Sequence, residues 1–213
     1  VAAPDKTRKY DATARRAAAE RTRRRVLSAA HHFFTGRGYA ETSVAQIARR
    51  ARVSVDTVYT SVGRKPQLLL AVHDMALAGG REPVPAEQRD YVQAVREEPT
   101  ARGKIETYAA ALGRLIPTTV PLMNALYEAG ITEPECRAVW QAINDRRAAN
   151  MLMFAADLRA TGEIRPDLSD QQVADLVWSM NSAEYFGLLA SRGLTPQEYS
   201  EVLADVWCRT LLG

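Results

Sequence analysis

The chain has 213 residues, 46% hydrophobic and 25% charged, which suits one large or two modest domains with a buried core. No apolar run approaches the ~18 residues of a membrane span, and the opening residues lack the apolar segment of a secretory signal, so a cytoplasmic setting without membrane contact is expected. The net charge of +3 conceals a division: 15 Lys+Arg against 5 Asp+Glu through residue 65, then 13 against 20, so the first third suits a polyanion and the rest does not.

Residues 1–12 are polar and of mixed charge and are predicted to be a flexible arm. Its Lys6, Arg8 and Lys9 either follow phosphates or stay solvated. Ala14 to Thr35 is rich in Ala and Arg with no Pro or Gly, which predicts a helix. Val26, Leu27, Ala30, Phe33 and Phe34 make its apolar stripe, and Gly36 and Gly38 end it. His31 and His32 are adjacent, about 100° apart on a helix, and cannot chelate one metal together.

Ser43 to Lys65 reads as two short helices around a tight turn. Ser43 with Gln46 forms a capping box, and Val44, Ile47 and Ala48 give a narrow apolar face. Ala51-Arg52-Val53 is the turn, Ser54 caps the second helix, and Val55, Val58 and Val62 recur at helical spacing. Helices of about two turns do not stand alone in water, so the pair must pack as a helix-turn-helix, whose second helix can enter a DNA major groove.

Thr42-Ser43-Val44-x-x-Ile47-Ala48, then Val53-Ser54-x-x-Thr57-x-Tyr59, then Lys65-x-x-Leu68-Leu69 resembles the DNA-binding domain of the TetR family of transcriptional regulators, over roughly residues 20–75. The resemblance implies phosphate contacts at Ser43, Tyr59 and Lys65, and base-edge contacts at Val55, Asp56, Thr57 and Thr60. The residues also admit plainer roles: Ser43 as a cap alone, Tyr59 as packing, Val55 as core. Three positions depart from the family: Arg52 replaces the usual turn glycine, Val62 replaces an aromatic, and Asp56 puts a carboxylate in the reading helix.

Pro66 opens a further helix through Leu68, Leu69, Val72 and Met75 to Gly79-Gly80, the linking helix of the family by resemblance. Residues 79–103 carry three prolines and a short helix at Glu87 to Glu97. Helices follow at Ile105 to Leu115 and Pro121 to Ala129, broken by Pro117 and Pro121. A long helix from Glu133 to Ala160 is opened by Thr132-x-x-Glu135. Capping boxes at Ser169/Gln172 and Thr195/Glu198 open helices at 170–191 and 196–212.

The fold expected is all-α: a flexible arm (1–12), a helix-turn-helix DNA-binding domain with linking helix (13–78), and a helical ligand-binding and dimerisation domain (79–213). The last two helices carry more apolar surface than one domain covers, which suggests a two-fold four-helix seam through Val173, Leu176, Val177, Met180, Leu188, Val202, Val206 and Trp207. Tyr108, Leu112, Met123, Tyr127, Trp140, Met151, Phe154, Trp178, Asn181 and Tyr185 are candidates either for a mostly apolar ligand pocket or for ordinary core.

No phosphate loop, metal motif or nucleophile elbow occurs, so neither an enzyme nor a cofactor or metal is expected. Cys136 and Cys208 read as free thiols. The function expected is a regulator, homodimeric on a pseudo-palindromic double-stranded DNA operator, a repressor released when a small, mostly apolar molecule binds. The alternative is an effector-independent or architectural DNA-binding protein.

Overall fold

A computed structural model describes residues 6–80 and 83–213, with side chains from residue 12 onward. Among the described residues there are ten α-helices and no named strand, only an isolated antiparallel bridge between Ile164 and Leu212. None of these helices is long and apolar enough to cross a membrane. The chain divides into two units, Val1–His73 and Asp74–Gly213.

The first unit holds α1 (Lys6–Arg37), α2 (Val44–Ala51), α3 (Val55–Ser61) and most of α4 (Lys65–Leu77). Its core is the predicted stripe of α1 (Val26, Leu27, Ala30, Phe34) with Ile47, Ala48, Val58, Leu68, Leu69 and Val72, all buried. Two expectations are corrected. The helix starts at Lys6, inside the stretch read as a flexible arm, because nothing between Lys6 and Thr35 stops a helix. The side chains of Lys6, Arg8 and Lys9 lie outside the described residues. The division between units falls inside α4, between His73 and Asp74, rather than at residue 79; Asp74 pairs with Arg146 of α7 (Pro134–Arg159) at 2.5 Å.

The second unit adds α5 (Asp90–Glu97), α6 (Ala101–Gly130), α8 (Asp170–Met180), α9 (Ala183–Ala190) and α10 (Pro196–Leu211). The helix α6 lies between α7 and α10, and α8 packs on α7. The approach to α10 is close: a Cβ at Gly113 would stand 3.0 Å from both the Pro196 carbonyl oxygen and Ser200 Cβ, so a larger residue would have to push α10 back slightly. Buried Lys104 ties three helices together, donating to the Val95 and Arg96 carbonyls at the end of α5 and pairing with Asp157 of α7 at 3.0 Å.

Three boundaries differ from the sequence reading. Pro117 and Pro121 sit inside one continuous α6. Both are exposed, so the missing main-chain donors fall on the solvent side, while Ile116, Leu122 and Leu126 bind the helix to the core. The expected 170–191 helix is two helices, because Ser182 accepts from the Tyr185 amide and caps α9 afresh. Thr132 does not cap α7; Glu133 is its N-cap residue and Pro134 its first turn. The boxes at Ser43, Ser169 and Thr195 form as expected.

Candidate functional site

In the first unit the turn between α2 and α3 is closed by Arg52 in the left-handed region, at φ 56°. Its N–H and that of Val53 return to the Arg49 and Ala48 carbonyls at 3.2 and 3.0 Å, the pattern of a Schellman C-cap. The Ser43 hydroxyl accepts from the Gln46 N–H at 3.2 Å and is exposed, so its own proton stays available to a further acceptor. Ser54 caps α3 by accepting from the Thr57 N–H at 3.1 Å.

The helix α3 turns Val58 into the core and Asp56, Tyr59 and Thr60 outward, with Tyr59 47% exposed. Val55 and Thr57 are half-buried. The Thr57 hydroxyl meets Ser54 Oγ at 2.8 Å. Thr60 donates its proton to the Asp56 carbonyl at 2.9 Å, which leaves its oxygen as an acceptor beside the Asp56 carboxylate. Lys65 is the first residue of α4, and its ammonium lies over the Tyr39 ring. Arg23 of α1 donates to the Ser61 carbonyl at 2.6 Å and fixes the end of α3.

In the second unit the candidate pocket residues separate into two groups. Tyr108, Met151, Phe154, Trp178 and Asn181 come together. The Asn181 amide donates to the Tyr108 hydroxyl at 2.8 Å and to Met151 Sδ at 3.1 Å, and the Tyr108 ring lies 5.0 Å from Phe154 and 5.9 Å from Trp207. Leu112 and Tyr185 pack half-buried against the same core. Tyr127 and Trp140 instead pair with each other at 5.6 Å, with Tyr127 54% exposed. Tyr127, 19 residues along α6 from Tyr108, lies about 28 Å from it by helical rise. Met123, 15 residues from Tyr108, belongs towards that end also.

Two arginines that the sequence reading did not single out enter the Tyr108 group. Arg147 of α7 donates to Asn144 Oδ1, to the Trp178 carbonyl and to Asn181 Oδ1, and its guanidinium lies 5.6 Å from the Trp178 ring. Arg89 is 6% exposed and reaches the Tyr91 hydroxyl at 3.5 Å. Burial pushes the Tyr108 phenol well above its ordinary range, assisted by Tyr91 and opposed by Arg147, the Asn181 hydrogen bond and Arg89. Burial lowers the Arg147 guanidinium, offset by Tyr108, Glu184 and Tyr199.

The expected seam residues are also divided. Val173, Val177, Met180 and Trp207 are buried in the core of their own unit and have no face to offer a partner, because α8 and α10 turn their main stripes inward. Leu176, Val202 and Val206 are half-buried, and Leu188 is 69% exposed.

A family model for bacterial regulatory proteins of the tetR family matches residues 26–72. The N-terminal domain belongs to the tetR family. Its members are regulators that bind DNA through this helix-turn-helix, and no catalytic role attaches to it. A comparison with curated protein sequences returns no match. Among solved structures, the tetR-type fold extends along the chain. NalD from Pseudomonas aeruginosa, the secondary repressor of the MexAB-OprM multidrug efflux pump, is 20% identical with a TM-score of 0.64, covering 91% of this chain and 97% of its own. A TetR transcriptional regulator from Chloroflexus aurantiacus is 21% identical with a TM-score of 0.64, covering 92% and 98%. The SmeT–triclosan complex is 16% identical with a TM-score of 0.68, covering 90% and 92%.

Proposed function

We propose that this protein is a ligand-responsive repressor, bound as a homodimer to a pseudo-palindromic double-stranded DNA operator and released when a small, mostly apolar molecule occupies the second unit. The observation that carries the reading is the outward face of α3, with Asp56, Tyr59 and Thr60 exposed beside the Ser43 hydroxyl and the Lys65 ammonium at two helix starts. Ser43, Tyr59 and Lys65 hold phosphates. Val55, Asp56, Thr57 and Thr60 meet base edges. Asp56 accepts only, and Thr60 has its proton engaged, so this face favours base donors such as cytosine N4 or adenine N6.

The first unit carries 15 Lys+Arg against 5 Asp+Glu, which supports attraction to DNA there. NalD as a pump repressor and SmeT as a complex with triclosan support repression and an apolar ligand for this chain. The self-association seam rests on Leu176, Leu188, Val202 and Val206, the four of the expected eight with surface to give.

Selection of binding sites from a random duplex pool, followed by footprinting, tests the reading. Two matched half-sites on one side of the duplex are expected; protection of a lone half-site overturns the dimeric mode. Titrating the bound operator with apolar molecules then tests release. An operator affinity indifferent to every molecule that binds the protein returns the chain to an effector-independent DNA binder.

A further inference from the structure

We propose that the Tyr108 group is a site for a planar aromatic molecule carrying one carboxylate, held between the Arg89 and Arg147 guanidinium groups. This rests on the ligand-responsive reading above and names the ligand's chemistry.

The reason is an excess of cationic and donor capacity with nothing anionic to meet it. A chain of contacts joins the two arginines: Arg89 to the Tyr91 hydroxyl at 3.5 Å, Tyr91 to Tyr108 with ring centroids 6.5 Å apart, Asn181 to the Tyr108 hydroxyl at 2.8 Å, and Arg147 to Asn181 Oδ1. Among the described residues no carboxylate forms an ion pair with either guanidinium. Arg147 is solvated by neutral acceptors alone, and Glu184, the one carboxylate whose charge is felt there, is exposed on α9 and beyond ion-pair distance. Arg89 Nε is buried with no hydrogen-bond partner.

Two further donors are in the same condition. The indole N–H of Trp207, which stacks on Tyr108, and that of Trp178, which lies beside Arg147, are buried without an acceptor. A buried donor without a partner is costly, and a buried charge more so. Elsewhere in the same unit the problem is solved: Lys104 has Asp157 and two carbonyls. Buried Arg89 and half-buried Arg147, both left to neutral groups around one aromatic cluster, are therefore arranged for an anion from outside. A carboxylate fits better than a dianionic phosphate, because one negative charge is less expensive to desolvate and still accepts from a planar guanidinium in two places. The half-buried rings of Tyr91 and Tyr185, packed against this core, supply apolar contact for an aromatic body.

Binding of 2-naphthoate and of its neutral counterpart 2-naphthamide to the full chain tests the proposal, followed by tryptophan fluorescence and calorimetry. The carboxylate is expected to bind about tenfold or more tightly than the amide. Arg89→Gln and Arg147→Gln each remove most of that preference while amide binding stays within about threefold. Equal binding of the two probes, preference retained in both variants, or binding of neither probe overturns it. If a variant fails to fold, the wild-type chain decides alone: naphthoate raises the thermal midpoint and naphthamide at equal concentration does not; equal shifts overturn the proposal. A naphthoate complex that keeps its full operator affinity defeats the release mechanism and leaves this site standing.

Discussion

The Lys65 ammonium sits 3.9 Å from the centre of the Tyr39 ring, and that ring stacks on Phe34 of the core. The cation at the start of α4 is thus held by an aromatic from the α1–α2 link, which would limit the freedom Lys65 loses in the proposed phosphate contact. Lys65→Ala is expected to weaken binding to all duplexes and to reduce the salt slope by about one unit. Tyr39→Leu keeps the charge and loses the platform, so affinity falls about two- to fivefold with the slope intact. Anisotropy titrations of a labelled operator at several salt concentrations separate the two, and an unchanged slope in Lys65→Ala removes its phosphate role.

Arg52 carries the only positive φ outside glycine among the described residues. A side chain in that region costs about 1–2 kcal/mol, and glycine gives back part of the gain as unfolded-chain entropy. Arg52→Gly is expected to stabilise the first unit by about 0.5–1 kcal/mol. The Arg52 guanidinium is exposed, and among the described residues it makes no hydrogen bond that would be lost. Arg52→Val should destabilise by a similar amount. Thermal unfolding of the two variants checks both signs.

Lys104→Met leaves the Asp157 carboxylate without its cation and two carbonyls at the end of α5 without their donor. The Lys104 side chain is only 6% exposed, so water does not replace it readily. A loss of about 2–3 kcal/mol is expected from urea unfolding. Lys104→Met with Asp157→Leu should recover part of it, since the orphaned charge is then gone.

Burial raises the Tyr108 and Tyr199 phenols above the ordinary value of 10.0. A raised folded-state value means the unfolded chain loses those protons first. The contribution to stability is therefore whole below pH 10.0 and declines as pH rises beyond it. Stability should fall above that point, and the share of the phenolate absorbance lost in a Tyr108→Phe variant should be the share that appears only with unfolding. Tyr108→Phe is expected to flatten the alkaline fall.

The head was legible in the sequence because its instructions are local. Ser43 and Gln46 are three residues apart, Ser54 meets Thr57 at the same spacing, and Arg52 stands where the turn needs a left-handed residue. The second unit was less so. Proline rules take no account of which side of a helix faces water, and Pro117 and Pro121 both face it. Asn181 was recognisable as a polar residue among apolar ones. Arg147 was not, because its partners Trp178 and Asn181 lie 31 and 34 positions away and a surface arginine looks the same in one dimension. Apolar periodicity likewise marks Val177 and Val206 alike, though the first is wholly buried and the second half open.

The prolines of α6 have a mechanical consequence. Each removes a rung from the ladder on the wet side, while the dry side stays gripped by α7 and α10. Such a helix is stiff against the core and compliant towards solvent, so it bends about its packed edge before it melts. The Thr118 and Thr119 hydroxyls, both donating to the Leu115 carbonyl at 2.9 and 3.0 Å, splint the stretch between the two interruptions. Amide exchange across residues 113–121 should therefore run ahead of that in the first three turns of α6, where the ladder is unbroken and Tyr108 is anchored.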